Sequence, residues 1–263
     1  MRLLRVRYQN QIFYAALGDG HVVCLSQELG FTDPIPLEEL QILPPTAPTK
    51  VVCVGLNYKG HAEELGMDIP DEPLIFFKPP SAVIGGGQPI VLPEGYSRVD
   101  YEAELAVVMG KPAHHISEDQ AEEYIFGYCC ANDVTERELQ KKDGLYARAK
   151  GFDTFAPVGP WIETEVDDPM ALEVYARVNG EIRQQGKTSD MIFTPFQLVS
   201  FISKVMTLLP GDVILTGTPA GIGPLSPGDE VRVEITEVGV LINPVVREKD
   251  LEVKPDADQP PVQ

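Results

Sequence analysis

Hydrophobic and polar positions alternate along much of this chain, and the apolar runs are short. Residues 3–8, 11–17 and 21–24 carry the alternation, with Asp19-Gly20 as a turn, and predict a small β unit. The stretch Pro44-Pro45-Thr46-Ala47-Pro48 reads as a linker. Beyond it, strand patterns recur at 51–55, 74–77, 90–92, 101–109 and 126–131. Residues 172–178 and 181–185 flank Asn179-Gly180, a two-residue hairpin signal, and 213–216, 231–235 and 240–246 supply the last strands.

Helix signals are fewer. Asn57 is placed to cap a brief helix over 58–65 that Gly66 closes. Ser117 and Gln120 form a capping box for a helix to about residue 124, and another follows at 135–142. Thr194 and Pro195 open the best-marked helix, to about residue 208. Strands outnumber helices, so the expected fold class is α+β and β-rich. Three parts are expected: a small N-terminal β domain over 1–48, a larger domain over 49–246 and a loosely ordered tail over 247–263. Neither glycine cluster, 85–87 or 217–223, has the spacing of a dinucleotide or phosphate loop.

Composition narrows the function classes. The chain has 263 residues with 23 Gly and 24 Pro, in keeping with many turns. No apolar run reaches membrane-spanning length and no charged-then-apolar leader opens the chain, so a cytoplasmic protein is expected. A net charge of −19 repels phosphate backbones and anionic lipid, which disfavours nucleic-acid and membrane partners. An anionic substrate would then need a local positive pocket. Cys24, Cys53, Cys129 and Cys130 form no Cys-x-x-Cys motif and read as buried, reduced thiols without a function.

The candidate chemistry lies at 101–109. Alternation puts Glu102 and Glu104 on one face of a strand that is otherwise apolar. Two neighbouring carboxylates facing a core would repel each other and lose hydration. Exposure to water, a shared proton or a bound cation would relieve this. Asp133, where an apolar run gives way to a helix, would by itself be a helix cap. With the two glutamates it makes a set of three carboxylates, without a cysteine or clear histidine partner, suited to a hard, oxygen-loving ion.

Several stretches then form an ordered set: Gly55-Leu56-Asn57-Tyr58 with His61 and Glu64; Phe77-Lys78-Pro79; Asp100-Tyr101-Glu102-Ala103-Glu104-Leu105; Asn132-Asp133-Val134-Thr135-Glu136-Arg137; Arg148-Ala149-Lys150-Gly151-Phe152-Asp153-Thr154; and Leu215-Thr216-Gly217-Thr218-Pro219. In this order they resemble the fumarylacetoacetate hydrolase family, from about residue 51 to 246. The resemblance implies a mixed β-roll, with the N-terminal β unit as a variable appendage, and usually a homodimer. It implies Mg²⁺ or Mn²⁺ held by Glu102, Glu104 and Asp133. His61 and Glu64, three apart on one helix face, would be a catalytic dyad activating water, on a short helix able to act as a lid. Lys150 would stabilise the developing anion. Lys78, Arg137, Gln140 and Thr218 would meet the substrate, with Thr154 near the ion's water shell. Position 56 departs from relatives that carry Arg there, so their exact substrate is not carried over. His21, His114 and His115 are left structural.

The implied activity is metal-dependent cleavage of a carbon–carbon bond, through an enolate, in a small 2-oxo acid bearing a second carbonyl or carboxylate. That is an acylpyruvate hydrolase, an oxaloacetate decarboxylase, or both. The alternative is an isomerase or tautomerase, of the oxaloacetate tautomerase or 2-hydroxyhepta-2,4-diene-1,7-dioate isomerase type. A metal-stabilised binding protein without turnover is a third reading, opposed by the presence of both His61 and Glu64. Gly-x-Ser-x-Gly and His-Glu-x-x-His are absent, which argues against serine hydrolases and zinc proteases.

Overall fold

The computed structural model describes residues 1–251. Five short strands come first: β1 (Arg2–Tyr8), β2 (Gln11–Leu17), β3 (His21–Cys24), β4 (Ile35–Pro36) and β5 (Gln41–Ile42). After the linker come β6 (Val51–Gly55), helix α1 (Lys59–Leu65), β7 (Leu74–Lys78), β8 (Val83–Ile84), β9 (Ile90–Leu92), β10 (Val99–Tyr101), β11 (Ala103–Met109), β12 (Ile125–Asn132) and β13 (Thr135–Glu136). Helices α2 (Arg137–Asp143) and α3 (Ala147–Lys150) lead to β14 (Ala156–Glu163), β15 (Glu173–Val178) and β16 (Glu181–Lys187). Helix α4 (Pro195–Val205) precedes β17 (Val213–Leu215), β18 (Gly223–Pro224), β19 (Glu230–Ile235) and β20 (Gly239–Arg247).

The main sheet runs β4-β3-β2-β1-β14-β12-β11-β17-β6-β7. From its far edge the chain passes through one 3₁₀ turn into β8, which pairs with β14 in the sheet's middle. The sheet therefore curls back on itself. Its inner face is lined by alternate residues: Val51 and Cys53, Ala106 and Val108, Cys129 and Ala131, Val213 and Leu215, with Val158 and Ile162. Most are small, as a tight curl requires, and that accounts for two of the buried thiols. The intervening positions, such as Val52, Leu105, Val107, Cys130 and Ile214, pack outward into a larger core under α4 and the five-stranded sheet β16-β15-β19-β20-β9. A third small sheet is β13-β10-β18.

The inner alternation fixes the site. One step beyond Ala106 on β11 is Glu104, one step beyond Ala131 is Asp133, and one step beyond Phe76 on β7 is Lys78. Apolar residues fill the curl and charged ones close its end.

The N-terminal strands have their own core of Leu4, Val6, Phe13, Ala15, Val22 and Ile35. They also join the main sheet, because β1 pairs with β14 through Arg2↔Glu163 and Leu3↔Ile162. Several local expectations shift. The side chain of Asn57 does not cap α1; it donates to Phe193 O and Thr216 O and accepts from Phe193 N–H, tying two distant loops to the strand end. Residues 118–124 wind as a 3₁₀ helix behind the Ser117–Gln120 box. Thr135–Glu136 pairs as a strand, and α2 starts after it, capped by the Glu136 carboxylate on Leu139 N–H. Helix α4 stops at Val205, because Leu208 bridges to Ala113. Strand β14 had no sequence signal: Pro157, Gly159 and Pro160 interrupt it, and the β12 ladder beside it shifts register. Of the expected tail, Glu248–Asp250 forms one 3₁₀ turn, and 252–263 lies outside the described residues. Among the described residues no helix is long and apolar enough to cross a membrane.

Candidate metal centre

Glu102, Glu104 and Asp133 are buried, and each offers an oxygen within 4.8 Å of the others. They converge where β17 peels away from β11. Ladder pairing between these strands runs from Val108↔Val213 to Ala106↔Leu215. Beyond that point Gly217 N–H donates to Glu104 Oε2 at 2.7 Å. Gly217 adopts φ 95°, and a Cβ there would come within 2.7 Å of Asn57 Cβ, so only glycine fits the turn that delivers this N–H.

Cations surround the trio unevenly. Lys150 Nζ donates to Asp133 Oδ2 at 2.6 Å and Glu102 Oε2 at 3.0 Å, and stands over the Phe76 ring. Arg137 donates to Glu102 Oε1 through one arm and to Asp100 Oδ2 through Nε, while Nη1 donates to Gln140 Oε1. Burial opposes the charge of Glu102, but Lys150 and Arg137 outweigh it and hold that carboxyl down to about 2. Among the described residues Glu104 forms no salt bridge. Burial, then Asp133 and Glu102, push its carboxyl well above the usual range, and Lys150 and the Gly217 N–H only partly offset them. Burial opposes the charge of Lys150 too, and its two carboxylate partners more than compensate.

Lys78 takes a different place from the one expected. It is 1% exposed, and its three protons go to the carbonyls of Val134, Lys150 and Phe155 at 2.7–2.9 Å. Its ammonium lies 2.8 Å from Asp133 Oδ1, but with its protons spent on carbonyls that contact is Coulombic, and Oδ1 has no hydrogen-bond donor. Lys78 therefore backs Asp133 rather than facing a ligand. A hard divalent ion fits this arrangement: the donors are all carboxylate oxygens, and among the described residues one oxygen of Asp133 lacks a hydrogen-bond donor and Glu104 forms no salt bridge.

The carboxylates open into a cavity of about 490 Å³, lined also by His61, Arg137, Gln140, Lys150 and Thr218. His61 Nδ1 is 2.9 Å from Glu64 Oε2, and Glu64 Oε1 accepts from Gly221 N–H at 3.0 Å. On α2, Arg137, Gln140 and Lys141 line the cavity at helical spacing, and Gly144 follows just past the helix end, so one face of that helix forms a wall. Thr218 spends its hydroxyl proton on Ala103 O, which leaves it only a lone pair for a ligand. Thr154 lies off the cavity wall, accepting from Val91 N–H. Leu56 lines the cavity in a left-handed conformation, φ 55°, rare for such a residue. The sequence alone does not single out Arg98, Lys141 or Gln184, and it offers Asp100 and Asn132 only as members of motifs. Asp100 had a signal, the polar residue two before Glu102; the others lie on stretches that read as solvated or generic strand.

Residues 50–246 match the profile of the fumarylacetoacetate (FAA) hydrolase C-terminal family. The mitochondrial oxaloacetate tautomerase FAHD2A of Homo sapiens is 44% identical over 81% of this chain and 71% of its own length. The crystal structure of 5-carboxymethyl-2-hydroxymuconate delta-isomerase from Mycobacterium smegmatis superposes with a TM-score of 0.86 at 44% identity, covering 94% of this chain and 99% of that one. Maleylpyruvate hydrolase from Sphingobium sp. SYK-6, solved with manganese(II) and pyruvate, gives a TM-score of 0.80 at 29% identity, with coverage of 94% and 99%.

Proposed function

Because the chain belongs to the fumarylacetoacetate hydrolase family over residues 50–246, we propose that it is a divalent-metal-dependent enzyme cleaving a carbon–carbon bond in 2-oxo acids that carry a second carbonyl or carboxylate. The observation behind this reading is that a buried three-carboxylate cluster and a hydrogen-bonded His61–Glu64 pair meet at one cavity. Bound at Glu102, Glu104 and Asp133, Mg²⁺ or Mn²⁺ would supply a Lewis acid for the substrate's 2-oxo and carboxylate oxygens.

Glu64 engages Nδ1 of His61, a residue of the cavity wall, which leaves Nε2 to accept a proton. Nε2 takes that proton from water, and the hydroxide adds to the distal carbonyl carbon. The carbon–carbon bond then breaks with its electron pair passing to the 2-oxo fragment as an enolate. Lys150 neutralises charge beside that oxygen, and the imidazolium returns the proton to carbon. With a carboxylate in the distal position, CO₂ leaves without water. Asp100, Glu102, Glu104 and Asp133 face Arg98, Arg137, Lys141 and Lys150 around the cavity, so a divalent ion makes the wall net positive. That is how a chain of net charge −19 would accept a dianion.

The second reading, a tautomerase or isomerase using the same residues for proton transfer alone, is supported by two relatives at 44% identity. A panel of acetylpyruvate, fumarylpyruvate and both oxaloacetate tautomers, each with Mg²⁺ and with chelator, separates the two. Metal-dependent release of pyruvate supports cleavage, interconversion of tautomers alone supports the second reading, and no metal-dependent turnover of any of them overturns both. The reading also includes a homodimer, which sedimentation of the purified chain would report.

A further inference from the structure

Between β10 and β11 the main chain leaves the ladder at Glu102, the residue between two strands that holds one of the carboxylates. The polar groups of Glu102 and Ala103 that a neighbouring strand would engage are met almost entirely by side chains. Glu102 N–H donates to Asn132 Oδ1 at 2.9 Å, and Glu102 O accepts from Asp133 N–H at 2.9 Å. Ala103 N–H donates to Gln184 Oε1 at 2.9 Å, and Ala103 O accepts from the Thr218 hydroxyl at 2.8 Å. Gln184 closes the circuit, its Nε2 donating to Thr218 Oγ1 at 2.8 Å and Pro219 O at 2.7 Å.

Gln184 is placed oddly for a merely structural residue. It lies on β16, an edge strand of the five-stranded sheet, and is the one buried residue of that strand's core pattern. The β15–β16 register shifts at this point, Ala176 facing Gln184 and Arg177 facing Ile182. Arg183 is thus the extra residue of a bulge, a device that re-aims the adjoining side chain. An edge strand otherwise turned to solvent so delivers one amide into another sheet, at the peptide joining two of the three carboxylate-bearing residues. Asn132 is the weaker holder, since its Nδ2 is buried without a partner among the described residues.

We propose that Gln184 is a positioning residue: by gripping Ala103 and Thr218 together, it sets the separation of the Glu102 and Glu104 carboxylates and so the choice of ion. The proposal rests on the metal reading above. Its physical basis is a difference between ions. Mg²⁺ demands a near-ideal octahedron of short bonds, whereas Ca²⁺ accepts longer and more variable ones. Slack between the two glutamates therefore penalises Mg²⁺ much more than Ca²⁺, whereas general loosening of the fold would weaken both alike.

The test is calorimetric binding of Mg²⁺ and of Ca²⁺ to the full chain, with the melting temperature of the metal-free protein alongside. Gln184→Met keeps the volume and removes all three hydrogen bonds; Gln185→Met, on the exposed neighbour, is the control. Gln184→Met should weaken Mg²⁺ by about tenfold or more, the scale of a lost buried hydrogen bond, and Ca²⁺ by less than about threefold. The control should match wild type. If Gln184→Met does not fold, Thr218→Val, which cuts the same circuit at its other end, should show the same skew. Equal weakening of both ions, or none, overturns the inference. Wild-type protein that binds neither ion, or Glu102→Gln that binds both normally, would instead remove the metal reading on which it stands.

Discussion

At the scale of single residues, charge placement decides most of the behaviour. Glu104 is the one carboxylate of the trio without a salt bridge among the described residues, so Glu104→Gln removes a buried carboxyl whose ionisation burial and its two acidic neighbours oppose in the metal-free protein. Its metal-free melting temperature is expected to equal or exceed that of wild type, while divalent-ion affinity falls at least tenfold by calorimetry. A large drop in melting temperature would show that the carboxylate is structural. His61→Ala should cost hydrolysis far more than decarboxylation, by roughly 10²–10⁴-fold for a lost general base; equal losses measured on the two substrates would leave His61 only a positioning role. Asp212 offers a test outside the site. It is fully buried and accepts from Thr49, Lys50 and Leu209, with Lys50 Nζ at 2.5 Å. Burial opposes its charge, but these donors hold its carboxyl below the usual value. Its stabilising contribution is therefore intact above about pH 4 and disappears as pH falls through the lowered value. Asp212→Ala should cost about 2–4 kcal/mol in urea denaturation near neutral pH and flatten the acid limb of the stability curve.

Elements carry the next level of argument. The inner face of the curled sheet is packed with valine, alanine and cysteine, a set legible in sequence only as ordinary strand residues. Because that space is narrow, Ala106→Leu should destabilise by about 1–3 kcal/mol through overpacking. Cys129→Ala should be milder, and matching denaturation midpoints for the two would contradict the curl's tightness. Alternation over residues 101–109 was enough to place Glu102 and Glu104 on one face, and the i,i+3 spacing was enough to pair His61 with Glu64. Neither pattern could say that Lys78 would spend its protons on three carbonyls, nor that Thr218 would turn its hydroxyl to Ala103. Those partners lie 56, 72 and 77 residues from Lys78 and 115 residues from Thr218, and local pattern holds no information about which distant carbonyl a side chain will meet.

On the scale of the whole molecule, the sheet joins parts that the chain's composition separates. The linker is pinned by Thr46 to Gly211, and just after it Thr49 is tied to Asp212, while Leu3 belongs to the inner core of the main sheet. Removing residues 1–43 should therefore lower the melting temperature of the remainder, through exposure of β14 and loss of Leu3; an unchanged midpoint would make the N-terminal strands an independent unit. The sequence by itself determined the residue types and periodicities: a β-rich chain, a carboxylate pair on one strand face, a third carboxylate at a strand end, and a set of motifs specific to one family. These are local properties, fixed by spacing along the backbone. Only the tertiary structure decided that the sheet curls, that β17 leaves β11 just before Glu104, and that Gln184 and Thr218 take over the hydrogen bonds left open there. Buried backbone polar groups have to find partners, and which partners are within reach depends on how separate strands are brought together rather than on their order in the chain.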